Sequence, residues 1–270
     1  MSELTIVQLY PDELGVAGDR GNVMALTARL AHAGHSVTVI SHEVGSQLPA
    51  DVDLVIVGNG PLSAMRNIHA DLLANGDRLR AVRASGAAVF AYGSGAELLG
   101  HSITLADDTS LEGLAVLPFR ATRISTRAVG YVIVDSPFGQ IVGFEDNASR
   151  WTLDAGAKPL GVLEAGSGNG EGSVEGVLDT GTVGTVVSGT VVSGTVASGT
   201  VVSGTVAIGT QVGGPALPLN PLLTDAIIAS IGMRRGFTAI NSERDEKIEY
   251  YATRARDVII AHAKHVFSRI

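Results

Sequence analysis

The sequence predicts an α/β fold: a mostly parallel sheet flanked by helices, with an antiparallel extension. Three observations carry this. Short β-branched runs alternate with amphipathic helical stretches through the first part of the chain, the pattern of strands covered by helices. The run AAVFAYGSGAELLG at 87–100 joins a buried strand to a helix through a turn of small residues. After Leu111 the texture changes to alternating strands and Gly-rich turns.

In chain order, Leu4 to Leu9 read as the first strand. Gly21 to Ala33 follow as a helix with Val23, Leu26, Leu30 and Ala33 on one face, and Asp19, Arg20, Gly21 and Asn22 are expected to cap its start. Ser36 to Ile40 and Asp53 to Val57 read as the next strands. Leu72 to Ala84 reads as a helix with Leu73, Leu79 and Val82 inward. Ala87 to Tyr92 is a short, fully apolar strand, and Glu97 to Leu99 open the helix after it. Tyr131 to Val134 and Gln140 to Phe144 form the extension. Residues 242–270 read as a C-terminal helix with Val258, Ile259, Ala261, His262 and Val266 as its apolar stripe.

Composition narrows the class. At 270 residues the chain reads as a single domain, 1–270, with an insertion. Apolar residues at 45% against 17% charged exclude a disordered chain. A net charge of −8 argues against a general nucleic-acid binder. The absence of cysteine excludes disulfides and thiolate metal sites and fits a cytoplasmic protein. MSELTIVQLYPDE has neither a basic start nor a cleavage site, so no secretory signal is expected, and no apolar run approaches the ~18 residues of a membrane helix.

Residues 184–213 are a tandem repeat of period five: GTVVS, GTVVS, GTVAS, GTVVS, GTVAI, GTQVG. Five matches neither the period of a strand nor that of a helix. The segment therefore reads as an expansion into a surface loop, with a β-rich interaction arm as the other reading.

A strand-to-helix turn of small residues is how α/β enzymes expose a nucleophile. Here the apex is Gly93, followed by Ser94 and Gly95. The turn is kept without a nucleophile. Ser94 is the remaining hydroxyl, but it lies one residue past the apex, and Tyr92 and Ala96 stand where G-x-S-x-G needs glycines. His32 with His35 and His262 with His265 have i, i+3 spacing without an accompanying carboxylate pattern, so no metal site is expected. Gly15 to Gly21 lacks a phosphate-loop lysine, and no cofactor is implied.

The turn resembles the elbow of class I glutamine amidotransferases, A-I-C-G-G-Y-Q-L-L-G, with Gly93 on the catalytic cysteine. More narrowly, LYPDELGVAGDRGNVMAL at 9–26 is similar to LYPDLLNLYGDRGNVLAL of the GatD family, the amidotransferase subunits of lipid II isoglutaminyl synthases. LEGLAVL at 111–117, the turn from Arg127 to Gly130, GQIVGFE at 139–145, GSGNGE at 166–171 and GP-x-LP-x-NP at 214–221 match in the same order, so the resemblance spans nearly the whole chain. It implies a CobB/CobQ-like (flavodoxin-like) sheet. It also implies a heterodimer with a MurT-like Mur ligase, to which the family supplies ammonia for amidating the D-glutamate of lipid II in peptidoglycan synthesis.

The family's site residues map unevenly. Its base, the histidine of G-T-Y-L-H-G-P, falls on Gly213, or on Ser188, Ser193, Ser198, Ser203 or Ile208 if an earlier repeat unit takes that place. Its G-G-G oxyanion loop is matched by Gly58 and Gly60 but not by Asn59. Its substrate-binding arginine falls on Arg127, with Arg123 and Arg150 close in sequence, and Asn147 replaces a histidine after GFE. Loss of nucleophile and base predicts a catalytically degenerate subunit, a pseudoenzyme that does not hydrolyse glutamine. The alternatives are an active amidotransferase using Ser94 and a module that binds glutamine or a related amino acid through Arg127.

Overall fold

The computed structural model describes all residues except 1, 171, 181–185, 189–199, 203, 239–242, 264–266 and 270. The first half alternates β1 (Glu3–Leu9), α1 (Asp19–His32), β2 (Ser36–His42), β3 (Leu54–Val57), α2 (Leu62–Ala74), α3 (Gly76–Ala84), β4 (Ala88–Tyr92) and α4 (Ser94–Leu99). Short strands β5 (Ser102–Thr104) and β6 (Ser110–Glu112) lead to the long hairpin β7 (Phe119–Ser136) and β8 (Gly139–Leu153). Then come β9 (Gly161–Ala165), β10 (Val174–Glu175), β11 (Val177–Asp179), the pair β12 (Val186–Ser188) and β13 (Thr200–Val202), and β14 (Ala207–Thr210). The chain closes with α5 (Ala216–Leu219), α6 (Pro221–Arg235), α7 (Glu243–His262) and β15 (Phe267–Arg269).

The main sheet has the order β11-β14-β4-β3-β1-β2 and is parallel except for β11 at its edge. Its inner strands β3, β4 and β14 are buried on both faces, which is why they are almost wholly apolar, while the edge strand β2 is largely exposed and polar at alternate positions. Leu4 and Ile6 of β1 pack with Val23, Leu26 and Leu30 of α1 and Ile227 and Ile231 of α6. Val7 and Leu9 face the other way, toward Met65, Ile68 and Leu72 of α2 and Leu79 of α3. Alternate residues of one strand thus serve two cores. The chain leaves β1 toward β2 on one side and returns to β3 on the other. Ligand sites of open α/β sheets form at such a reversal, beyond the strands' C-terminal ends. The loops after β1 and β3 meet there, with Val16 N–H donating to Asn59 O (3.2 Å).

The second sheet runs β10-β9-β7-β5-β6, with β8 and β15 also paired to β7. It is the expected extension, and it is longer than the sequence suggested. β7 and β8 continue through an irregularity between Arg123 and Ala128, so exposed polar residues belong to the hairpin as well as the apolar runs. Phe119 stacks on Trp151 (centroids 4.3 Å apart) and ties this sheet to the first core.

Three local expectations change. The helix expected over Leu72 to Ala84 is two helices meeting at Asn75, whose side-chain amide donates to Asp71 O (2.9 Å). An Asn-Gly pair at 75–76 has low helix propensity, and the missing side chain at Gly76 allows close approach of Leu114. Asp19 and Asn22 do not cap α1 through their side chains. Asn22 Oδ1 accepts Leu217 N–H (2.9 Å) instead, and Asp19 reaches Asn59. The C-terminal helix expected over 242–270 is α7 only, and Phe267–Arg269 pairs antiparallel with Ala128–Gly130 of β7. Val258 is exposed, Ile259 alone of the stripe packs on a core cluster, and Val266 lies outside the described residues. Edge pairing with β7 gives the chain's end a partner that helix periodicity does not reveal. No helix among the described residues is long and apolar enough to cross a membrane.

One polar contact fastens the main sheet to α6. The buried Asp53 carboxylate accepts Thr5 N–H (2.9 Å), Arg234 Nη1 (2.6 Å) and Arg235 Nη2 (3.0 Å). Asp51, mostly exposed, pairs with the same two guanidinium groups.

Candidate functional site

β4 ends in a turn whose backbone strains any side chain at its apex. Gly93 has φ 54° and ψ −124°, outside the regions open to L-residues. A side chain there stores about 1–3 kcal/mol of strain, as at enzyme elbows. The turn is anchored on both sides. Gly93 N–H donates to Thr210 O (2.9 Å) on β14, and Gly95 N–H donates to Gly58 O (3.1 Å) after β3. The oxyanion-loop candidates Gly58 and Gly60 therefore lie against the elbow, and both are tight. A Cβ on Gly58 would lie 2.0 Å from Leu14 O, and one on Gly60 would lie 2.4 Å from Glu13 O.

Ser94, the candidate nucleophile, is buried and fully engaged. Its hydroxyl is 2.9 Å from both Asn59 Oδ1 and Gly60 O as donor, and accepts Gly60 N–H at 2.8 Å. No imidazole is among these partners. His42 contacts Ser46, His69 contacts Glu112 O, His101 contacts Asp154 and His32 contacts Asp245. His35 packs on Phe237, His262 contacts Val258 O, and His265 lies outside the described residues. Among the described residues no cluster of three or more His, Asp or Glu side chains is arranged for a metal.

The strand beside β4 is built from the last repeat units. Ala207–Thr210 pairs with Val89–Tyr92, which sets Ile208 opposite Phe90 and carries the chain on to Gly213. Ser188 lies in the separate β12–β13 pair, while Ser193, Ser198 and Ser203 are outside the described residues. Gly213 exchanges backbone hydrogen bonds with Phe144 of β8 (2.7 and 3.4 Å). A Cβ at Gly213 would lie 1.9 Å from Tyr92 Oη and 2.1 Å from its Cζ. The Tyr92 ring fills the space where a side chain from 213 would project. Burial above all, then the Asp19 and Asp146 charges, raise its pKa, so the phenol stays neutral.

Arg127, the candidate substrate ligand, is half exposed, and its Nε donates to Asp146 Oδ1 (2.5 Å). That bond raises the guanidinium pKa. The more enclosed arginine is Arg123, whose Nε donates to Glu97 Oε2 (2.9 Å) on α4. Arg150 lies on β8 opposite Thr122. Asn147 Nδ2, Ser149 Oγ and Trp151 Nε1, on alternate residues of β8, are buried without hydrogen-bond partners, as is Gln211 Oε1.

Two buried carboxylates were not picked out from the sequence. Glu145 accepts Ser167 N–H (2.6 Å) and Gly168 N–H (3.0 Å), which explains physically why GFE and the Gly-rich turn go together. Glu175 accepts Gln211 N–H (2.6 Å) and the Thr210 hydroxyl (3.1 Å), fixing the strand end that leads to Gly213. The signal in the sequence was slight: each acid directly follows an apolar residue within a strand, Phe144 before Glu145 on β8 and Val174 before Glu175 on β10.

Burial pushes Glu175 up to about 7 against hydrogen bonds that lower it, with the Glu145 charge adding to the rise. Its folded pKa thus exceeds its unfolded one. Its contribution to stability is complete below about pH 4.5, falls as pH rises because the unfolded chain ionises first, and is lost above about pH 7. The loss is on the order of 3 kcal/mol. Glu175→Gln is expected to flatten this window, read as melting temperature between pH 5 and pH 8. An unchanged slope would show that Glu175 is not its source.

Residues 5–196 match the model of the CobB/CobQ-like glutamine amidotransferase domain. The chain is 27% identical over 266 residues to the lipid II isoglutaminyl synthase (glutamine-hydrolyzing) subunit GatD of Staphylococcus aureus strain N315, covering 97% of each. It is 29% identical over 180 residues to the subunit of the same name from Streptococcus pneumoniae strain ATCC BAA-255 / R6, covering 65% of this chain and 69% of that one. A solved glutamine amidotransferase superposes with a TM-score of 0.49 at 15% identity, over 84% of this chain and 98% of the other.

Proposed function

Because the chain belongs to the CobB/CobQ-like glutamine amidotransferase family, we propose that it is a non-hydrolytic, GatD-like subunit that partners a MurT-like ligase acting on the D-glutamate of lipid II in peptidoglycan synthesis. The lipid II assignment draws on the two relatives, each a GatD subunit of a lipid II isoglutaminyl synthase. The observation that carries the non-hydrolytic reading is the Tyr92 ring in the side-chain space of Gly213. Amide hydrolysis by this kind of site needs a nucleophile and a proton-transferring base within hydrogen-bond reach of each other. Position 93 offers a hydrogen atom, position 213 offers another, and the hydroxyl of Ser94 is held by Asn59 and Gly60. The subunit's role is then to hold or regulate the ligase, with free ammonia or another amine as the nitrogen source.

The test is glutamate release from L-glutamine by the complex purified with its native partner. Background release alone is expected. Turnover at ordinary enzyme rates that persists when the ligase's own site is mutated would establish an active glutaminase.

A further inference from the structure

The loop after β3 and the elbow close on each other through one side chain. Asn59 Oδ1 accepts both the Ser94 backbone N–H and the Ser94 hydroxyl, each at 2.9 Å. A backbone N–H only donates, so the atom facing it is the carboxamide oxygen. That oxygen lies 2.5 Å from where a Cβ on Gly93 would stand, so it occupies the volume a side chain at the apex would enter. The N–H after the apex and an N–H of the loop after β3 are the two donors that hold a carbonyl oxygen in elbow enzymes. Here both are spent internally. Ser94 N–H goes to Asn59, and Gly60 N–H goes to Ser94 Oγ (2.8 Å). The third candidate, Asn59 N–H, faces Asp19 Oδ2 (3.4 Å).

We propose that the Asn59 carboxamide is a built-in occupant of this anion hole, standing where the carboxamide of a free ligand would bind, and that shortening residue 59 opens a site for primary carboxamides. The proposal rests on the reading above that Gly93 marks a former nucleophile position. The loop is placed for the role: Val16 N–H fixes Asn59 O, and Gly58 and Gly60 are wedged against Leu14 and Glu13. An occupant on the same chain is present at an effective concentration that dissolved glutamine does not match. Exchanging one carboxamide oxygen for another gains nothing in hydrogen bonds. The hydrogen at Gly93 is what admits the occupant, so the vacancy at 93 and the amide at 59 are two halves of one arrangement.

The experiment uses the full chain, wild type beside Asn59→Gly and Asn59→Ala. Hydrogen exchange of the Ser94 amide is followed by NMR, and L-glutamine is titrated by calorimetry. Protection of the Ser94 amide in the wild type, at least tenfold faster exchange in both variants, and glutamine binding by the variants alone are the expected results. Unchanged exchange, equal glutamine binding by wild type and variants, or no binding by any of them overturns the proposal. Glutamate release by the wild-type complex would instead overturn the non-hydrolytic reading, so the two failures are distinguishable.

Discussion

Gly213→Ala is expected to destabilise the chain severely, and Tyr92→Ile in the same chain is expected to restore it. The new methyl would sit 1.9 Å from Tyr92 Oη, inside a buried site flanked by the Gly213–Phe144 backbone pair. Overpacking of this kind costs about 1–3 kcal/mol, and more where neither partner can move. Tyr92 is boxed in by the strand that carries it, because β4 is buried over its whole length. The choice of rescue matters. Tyr92→Phe removes the hydroxyl but leaves Cζ 2.1 Å from the new atom, so it should rescue poorly. Thermal melting of the four chains tests this. Equal stability of Gly213→Ala and wild type would show that the ring does not own that space. The same contact sets the order of any reconstruction. Gly93→Cys and Gly213→His together should stay inactive until Tyr92 is reduced and Asn59 removed, because ring and carboxamide hold the two volumes the new side chains need.

The second large effect is expected at Asp53. Asp53→Ala should cost about 3–5 kcal/mol, as for other broken buried ion pairs, which is a fall of roughly 10 °C or more in melting temperature for a chain of this size. The carboxylate is fully buried and accepts four hydrogen bonds from three residues of β1 and α6. Removing it leaves two guanidinium groups with one exposed partner, Asp51, and Thr5 N–H without the carboxylate it donates to. Asp51→Ala is the control. It touches the same arginines from solvent and should cost about 1 kcal/mol or less. Comparable losses at both positions would show that the buried carboxylate contributes no more to stability than the exposed one.

Much of this architecture is legible in the residues. Strands buried on both faces show as apolar or nearly apolar runs, so β1, β3 and β4 could be placed within a residue or two. The elbow was visible because Gly-Ser-Gly between an apolar run and a helix leaves little other geometry. What fills the space around it was not visible. Asn59 and Ser94 are 35 residues apart and meet only through the sheet order. Asn59 showed in the sequence merely as a mismatch between two matching glycines. Tyr92 meets Gly213 only in one register of β14 on β4, and near-identical pentads offer several. The split of α2 from α3 turns on one Asn-Gly pair, and β15 on a pairing between segments more than a hundred residues apart.

The antiparallel pairing of β11 with β14 bears on how the number of pentads affects folding. Val177 stands opposite Gly209, and farther out Val186 stands opposite Val202, so described residues on the two sides of segment 189–199 pair with each other. Closing a longer loop costs only about 0.6 kcal/mol per doubling of its length. Removing or adding one pentad between these paired flanks is therefore expected to change stability by less than about 1 kcal/mol, read as melting temperature.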